Sequence, residues 1–273
     1  MGAQAGLVVR HHRSMIVDAP GLRTDLALLE LQGSQVVDHG DLVVVRTPSN
    51  PAYYWGNFLL LPADVPAAGV DRVIARFEAE HPKARHRAVA FADPRGDHAA
   101  WEAKGFDVEI DVDLVTDTVP AEAPAPEGID VRPLVSDEDW EQSASVGAGD
   151  APAEGRDERH LFELRRAASQ RGLVDSGRGR WFGAFDGDTL VASLGIVRLG
   201  RLARYQDVMT LAAYRRRGIA GALVRAAGEW AFTDPEVERL VIVAEDGGPA
   251  IGLYRRAGFR EVARRVQVCR TPA

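Results

Sequence analysis

The sequence predicts an α/β protein with a mixed, mainly antiparallel central sheet flanked by helices. Three observations carry that expectation. Strand-like and helix-like segments follow one another through the second half of the chain in the order β-α-α-β-β-β-α-β-α-β. Asp186-Gly187-Asp188 joins two apolar runs, and an Asp-Gly step between such runs signals a hairpin. A third segment, "TDTVPAEAPAPEG" from Thr116 to Gly128, is rich in Pro and Ala, lacks any apolar period and reads as a semi-extended linker. Two domains are therefore expected, 1–118 and 128–273, joined by a linker at 119–127.

Each element after the linker has its own signal. "GIDVRPL" is a short strand. "SDEDWEQSASVGAG" opens with Ser136 as an N-cap followed by acidic residues, which suit the positive end of a helix. "DERHLFELRRAASQRGL" spaces Leu161, Leu164 and Ala167 as one helical face. "RWFGAF", "LVASLGIVRL" and "ARYQDVMTL" are three consecutive strands, turned at Gly187 and near Gly200. "IAGALVRAAGEWAF" is amphipathic, with Ile219, Leu223, Ala226 or Ala227, and Trp230 on one face. "RLVIVAE" is a buried strand, "PAIGLYRRAGF" a short helix with Pro249 suited to its first turn, and "EVARRVQVCR" a last strand.

Composition narrows the function. Of 273 residues, 46% are hydrophobic and 27% charged, and the ordinary balance speaks against general disorder. No apolar run approaches a membrane span or a signal-peptide core, so a cytoplasmic protein without a membrane partner is expected. A formal charge of −7 argues against generic nucleic-acid binding, which depends on neutralising phosphates. Cys269 is the single cysteine, which precludes an intramolecular disulfide, and no His/Cys/carboxylate spacing suggests a metal.

Against that acidic background stands "YRRRGIAGAL", with Arg215, Arg216 and Arg217 directly before Gly218 and a helix start. A helix N-terminus offers unpaired N–H groups and a positive dipole end, and small residues let anionic oxygens approach the main chain. The loop lacks the GKS or GKT ending of a nucleoside triphosphate site and the three glycines of a dinucleotide site. Arg215-x-x-Gly218-x-Ala220 resembles the pyrophosphate loop of the GNAT superfamily, the acyl-CoA-dependent N-acetyltransferases. Ala250, Leu253, Tyr254, Gly258 and Phe259 are similar to that family's Ala-x-x-Leu-Tyr helix and its Gly-Phe ending. The resemblance spans roughly Gly128 to Arg270. One departure stands at Gly247, where many members have asparagine.

The resemblance implies acetyl-CoA as co-substrate, with no metal, and a primary amine of a small molecule as acceptor. Its pyrophosphate would lie on Arg215, Arg216, Arg217, Gly218, Ile219, Ala220 and Gly221. Its pantetheine arm would lie between splayed strands, Gln206 to Thr210 and Leu240 to Glu245, against the backbone of Val208, Met209 and Thr210, with Ala250, Leu253 and Tyr254 completing the cofactor site. Tyr254 is the expected general acid toward the CoA sulfur, and Asp207 or Glu245 the base acting through water; ordered water alone is an alternative. The first two helices would wall the acceptor cleft. Their acids, Asp137, Glu138, Asp139, Glu141, Asp150, Glu154, Asp157 and Glu158, would favour a cationic amine or form a solvated surface.

The first half echoes the second. "AAWEAKGFDVEIDVDLV" parallels "GLYRRAGFREVARRVQV", "HRAVAFAD" parallels the strand before it, "GVDRVIARFEAEH" the long helix and "YYWGNFLLL" the splayed strand. A truncated GNAT-like unit from about Leu26 to Thr118 is expected, making a tandem. Its loop is "PADVPAAG", where Pro62, Asp64 and Pro66 are hostile to pyrophosphate. Tyr53, Tyr54, Trp55 and Asn57 are either ligand contacts or strand packing. The leading expectation is an N-acetyltransferase working by direct attack in a ternary complex, as monomer or homodimer; the alternative is a non-catalytic acyl-CoA-binding or sensing module.

Overall fold

The computed structural model describes residues 19–121, 123–148 and 156–271. They form two units, one running to Val112 and resuming at Ala263, the other spanning Asp113–Val262.

The first unit comprises α1 (Pro20–Leu31), β1 (Gln35–Asp38), β2 (Val43–Arg46), β3 (Phe58–Leu61), α2 (Val70–Glu80), β4 (Arg87–Phe91), α3 (Ala99–Glu102), the start of β5 (Asp107–Thr116) and most of the final strand, β11 (Arg260–Arg270). Its strand order is β1-β2-β3-β4-β11-β5. β3 runs parallel to β4, whereas β11 is antiparallel to β4, with Val268 opposite Val89. Val43 to Val45 and Phe58 to Leu61 are buried without alternation, as befits central strands covered on both faces. β11 belongs here because Val266 and Val268 fill this core, while Arg265 reaches Asp25 at 2.6 Å and Asp111 at 3.1 Å. This long-range pairing joins the last strand to residues that precede the expected linker at 119–127.

The segment read as the strand "YYWGNFLLL" begins instead as a turn of 3-10 helix at Tyr54–Gly56. Asn57 knots that turn: its side-chain Oδ1 accepts from the Thr47 N–H at 3.0 Å, and its Nδ2 donates to the carbonyls of Asn50 and Tyr53. Tyr54 stacks on the buried His86 at 4.4 Å. The aromatic cluster is therefore packing.

His81, also buried here beside Arg46 and His86, is held down at about 4 from 6.5, first by burial, then by the Arg46 charge and then by any charge on His86. Between pH 6.5 and about 4 the unfolded chain binds a proton at His81 that the folded chain refuses, so stability falls as pH falls through that window. Thermal unfolding followed from pH 7.5 to 4 should show this loss, and His81→Gln, which cannot charge, should flatten it. A parallel decline in the variant would assign the acid sensitivity elsewhere.

The second unit has β6 (Ile129–Pro133), α4 (Asp137–Ala148), α5 (Arg156–Asp175), β7 (Gly179–Asp186), β8 (Thr189–Leu199), β9 (Leu202–Thr210), α6 (Ile219–Ala231), β10 (Arg239–Glu245) and α7 (Pro249–Arg256), in the order expected. Its sheet runs β5-β10-β9-β8-β7-β6, the β5 residues being those from Asp113 on. β6 to β9 are antiparallel neighbours and β9–β10 is parallel, a mixed and mainly antiparallel sheet. Ser136 caps α4 reciprocally, its hydroxyl accepting from the Asp139 N–H while the Asp139 carboxylate accepts from the Ser136 N–H, both at 3.1 Å. On α6, Ile219, Leu223 and Ala227 are buried, and Trp230 lies under the Arg198 guanidinium at 3.8 Å. The linker lies along α6 and α7: the Ala121 N–H donates to the Ala257 carbonyl at 2.9 Å and Arg225 to the Pro120 carbonyl at 2.8 Å.

α5 is rotated relative to its apolar stripe. Leu161 is 51% exposed, while Glu163, Ala167 and Gln170 are buried. The 3–4 spacing is helical as expected, but the inward face mixes Glu163 and Gln170 with Ala167 and Leu173.

Candidate functional site

β9 and β10 pair in parallel only from Leu202–Arg239 to Arg204–Val241 and then separate. The separation has a local cause on the other side of β9. Ser193 faces Met209 and Gly195 faces Gln206, so Asp207 and Val208 together oppose Leu194. Asp207 has φ of 53°, the left-handed region that a non-glycine residue seldom enters, and this bulge bends the strand away from β10. The gap is an open groove of about 330 Å³ lined by Arg204 to Val208, Ile242 to Glu245, Gly248 to Ala250 and Tyr254.

At the end of β9 the chain passes through a 3-10 turn, Ala212–Tyr214, into the arginine run. Arg216 at φ 62° and Gly218 at φ 89° swing the backbone into α6, whose N-terminus no side chain caps. A Cβ on Gly218 would meet nothing within 4 Å, so its glycine serves the backbone conformation and the open approach. Arg215 donates to the Thr210 carbonyl at 3.1 Å, and the Arg217 guanidinium lies 5.0 Å from the Tyr214 ring centre. All three arginines are exposed. Ile219 is buried, Ala220 is half-buried, and a Cβ on Gly221 would lie 3.2 Å from Ala123 and 3.7 Å from Leu253.

Of the expected site residues, Asp207, Val208, Glu245, Ala250 and Tyr254 share the groove, whereas Met209 lines a separate small cavity beneath α4 and α5. Tyr254 is buried, and that burial pushes its phenol up to about 12, with the nearby Arg204 pulling the other way. The Asp207 carboxylate is engaged from α5: one oxygen lies 2.8 Å from Arg166 and the other accepts from Gln170 at 2.6 Å. Glu245 is exposed at the end of β10. α7 starts with Pro249 in its first turn, after Gly247 at φ 72° in the place where asparagine was expected.

Of the acids expected to face an acceptor, Glu138 and Glu141 are exposed, while Asp137 and Asp139 are engaged by arginines. Arg132 grips Asp139 at 2.8 and 2.9 Å and, with the Val135 and Ser136 amides, holds its carboxyl far below the usual range; Asp137 pairs with Arg171. Asp150 and Glu154 lie outside the described residues, as do the side chains of Asp157 and Glu158. The acids at the small cavity are Asp207 and Glu163, and sequence reasoning missed Glu163 along with Arg166, Gln170 and Arg204. A charged residue amid an apolar strand marks Arg204 in retrospect; the others depend on the rotation of α5.

Among the described residues of the first unit, the parallel pair β3–β4 does not separate in this way. Beyond the β3–β4 ladder the Ala92 N–H donates to Leu61 and the Asp93 N–H to Pro62, at 3.0 and 2.9 Å, so these parallel strands stay zipped. In its loop, Asp64 accepts from the Trp101 indole at 2.9 Å and lies 2.9 Å from His98 Nδ1. Among the described residues no group of three or more His, Cys, Asp or Glu could hold a metal ion, and no helix is long and apolar enough to cross a membrane.

Residues 139–259 match the model of the Acetyltransferase (GNAT) family. No curated protein sequence matches the chain. Among solved structures, a conserved protein of unknown function from Staphylococcus epidermidis superposes with a TM-score of 0.73 at 14% identity, over 88% of this chain and 95% of that one. A GCN5-related N-acetyltransferase from Kribbella flavida gives 0.64 at 20% identity, over 92% and 95%. A tandem GNAT protein from the clavulanic acid biosynthesis pathway gives 0.53 at 17% identity, over 88% and 84%. At these identities the likeness is one of fold. Residues 139–259 are thus similar in sequence to the Acetyltransferase (GNAT) family, and most of the chain is similar in fold to solved GNAT structures.

Proposed function

We propose that the chain is an acetyl-CoA-dependent N-acetyltransferase that delivers the acetyl group to a primary amine of a small molecule by direct attack in a ternary complex. The observation that carries this reading is the coincidence of a splayed β9–β10 groove with an uncapped, glycine-started helix N-terminus at the end of the same strand. The exposed loop from Arg215 to Gly221 suits a pyrophosphate, and the groove suits a thin amide-bearing arm. Backbone groups of Val208, Met209 and Thr210 hold that arm, with Ala250 and Leu253 at its flank, and a main-chain N–H near Met209 polarises the thioester carbonyl. Tyr254, protonated throughout the neutral range, donates to the departing sulfur. Glu245, or Asp207 once freed from Arg166 and Gln170, draws the amine proton through water.

In this reading the functional division is an N-terminal GNAT-like unit over 1–118 without cofactor, a linker at 119–127 and a catalytic domain from 128. The zipped β3–β4 pair and the occupied Asp64 support one cofactor site per chain. The test is release of free thiol from acetyl-CoA with a panel of amines, aminoglycosides, polyamines, amino acids and peptides. Acceptor-dependent release is expected from at least one small amine. Tight CoA binding without release from any acceptor would instead make the chain a binding module.

A further inference from the structure

Residues 119–127, the expected linker, belong to the second unit and are fastened to it at several points. Just ahead of them, Asp117 pairs with Arg239 of β10 at 2.5 Å and with Arg260 of β11 at 3.4 Å. Pro120 is buried against the later turns of α6: its carbonyl accepts from Arg225 at 2.8 Å, and a Cβ on Gly228 would lie 2.5 Å from its ring. The Ala121 N–H reaches across to α7 and donates to the Ala257 carbonyl at 2.9 Å. Ala123 lies at the first turn of α6, where a Cβ on Gly221 would be 3.2 Å from the alanine methyl and 3.7 Å from Leu253 of α7. From Gly228 back to Gly221 the segment thus follows α6 for about two turns, with α7 on its other side.

This seat accounts for two features of the sequence. Glycine inside a helix is unfavourable relative to alanine, yet α6 carries Gly221 and Gly228 seven residues apart on one face. At both positions a methyl group would close on the linker. The linker in turn is built of Pro and Ala, which lose little chain freedom on seating and carry no side chain large enough to wedge the helices apart.

The end of the seat is where it bears on function. Gly221 closes the exposed loop that suits a pyrophosphate, and Leu253 directly precedes Tyr254 on the wall of the β9–β10 groove. Ala123 lies against both. A single cofactor occupying loop and groove together needs them at one separation, and it binds best when that separation is set beforehand.

We propose that the linker is a positioning element of the cofactor site: seated between α6 and α7, it sets the separation of the anion loop from the groove, with Arg225 and the Ala121 N–H as its fastenings and Ala123 as its contact at the site. The proposal rests on the acyltransferase reading for the identity of the cofactor. Coupling of this kind is reciprocal, so a cofactor that depends on the seated linker must also hold the linker in its seat.

The test combines calorimetric titration of the full chain with CoA and hydrogen exchange at the Ala121 amide. Arg225→Met keeps the stem and loses the bond to the Pro120 carbonyl; it should weaken CoA binding about fivefold. Adding Ala121→Pro, which removes the N–H that reaches Ala257, should bring the loss to roughly 20-fold. Glu229→Gln breaks only the surface pair with Arg225 and should change neither binding nor turnover. In acetyl transfer the double variant should raise KM for acetyl-CoA with kcat within about twofold, a split that general loss of folded protein would not give. If the double variant fails to fold, Arg225→Met decides, since that side chain is 33% exposed. In the unaltered chain, saturating CoA should slow exchange at the Ala121 amide about tenfold or more. CoA affinity that stays within about twofold in the Arg225 variants, or Ala121 exchange indifferent to CoA, would overturn the proposal while leaving the acyltransferase reading in place. An unaltered chain that binds no CoA would overturn both, so the two failures are told apart by the first titration.

Discussion

Gly218→Glu is expected to abolish measurable CoA binding, lowering affinity at least 100-fold, equivalent to about 2.7 kcal/mol. Two effects combine. Any side chain at φ 89° distorts the entry to α6, a cost of roughly 1–2 kcal/mol for an L-residue held in a left-handed conformation. The new carboxylate also places negative charge at the helix N-terminus where the pyrophosphate is proposed to lie. The space around the position is open, so the fold should survive. Gly218→Ala isolates the backbone effect and should weaken binding by a smaller factor. Calorimetry on both variants, with circular dichroism to verify folding, separates them. If the glutamate variant binds CoA within threefold of the unaltered chain, the pyrophosphate lies elsewhere.

Tyr254→Phe should reduce kcat by about 100-fold while leaving CoA affinity within a factor of two, the lower range for loss of a general acid. The substitution preserves the ring that packs near Phe259 at 6.1 Å and removes only the hydroxyl. Burial pushes the phenol up to about 12, so the acidic form persists through neutrality and the pH–rate profile below pH 9 should not report its ionisation. Unchanged turnover, measured under single-turnover conditions so that product release does not mask chemistry, would reduce Tyr254 to packing.

The parts of this molecule that were legible in advance are those written in contiguous residues. The arginine-glycine loop, the Asp-Gly hairpin and the Pro249 helix start each specify a local backbone geometry through a few neighbouring side chains. Element order in the second unit followed for the same reason. What stayed hidden depends on distant partners. The inward turn of Glu163 and Gln170 is set by what packs on α5; of the expected face, Ala167 is buried and Leu164 half-buried, but Leu161 points to solvent. Asp207 read as a candidate base, but its engagement with Arg166 and Gln170 requires knowing that α5 crosses that bulge. The burial of Arg265 against Asp25 and Asp111 follows from a sheet position far from its sequence neighbours.

The location of β11 has a consequence for biogenesis. Val266 and Val268 complete the core of the first unit from near the far end of the chain. During synthesis that unit cannot close its sheet when its own early strands emerge; it must wait until the whole second unit has been made. The N-terminal half is therefore the last to mature. Nascent chains stalled before Ala263 should expose the β4 edge and engage holdase chaperones there, a vulnerability that order along the gene would assign to the opposite half.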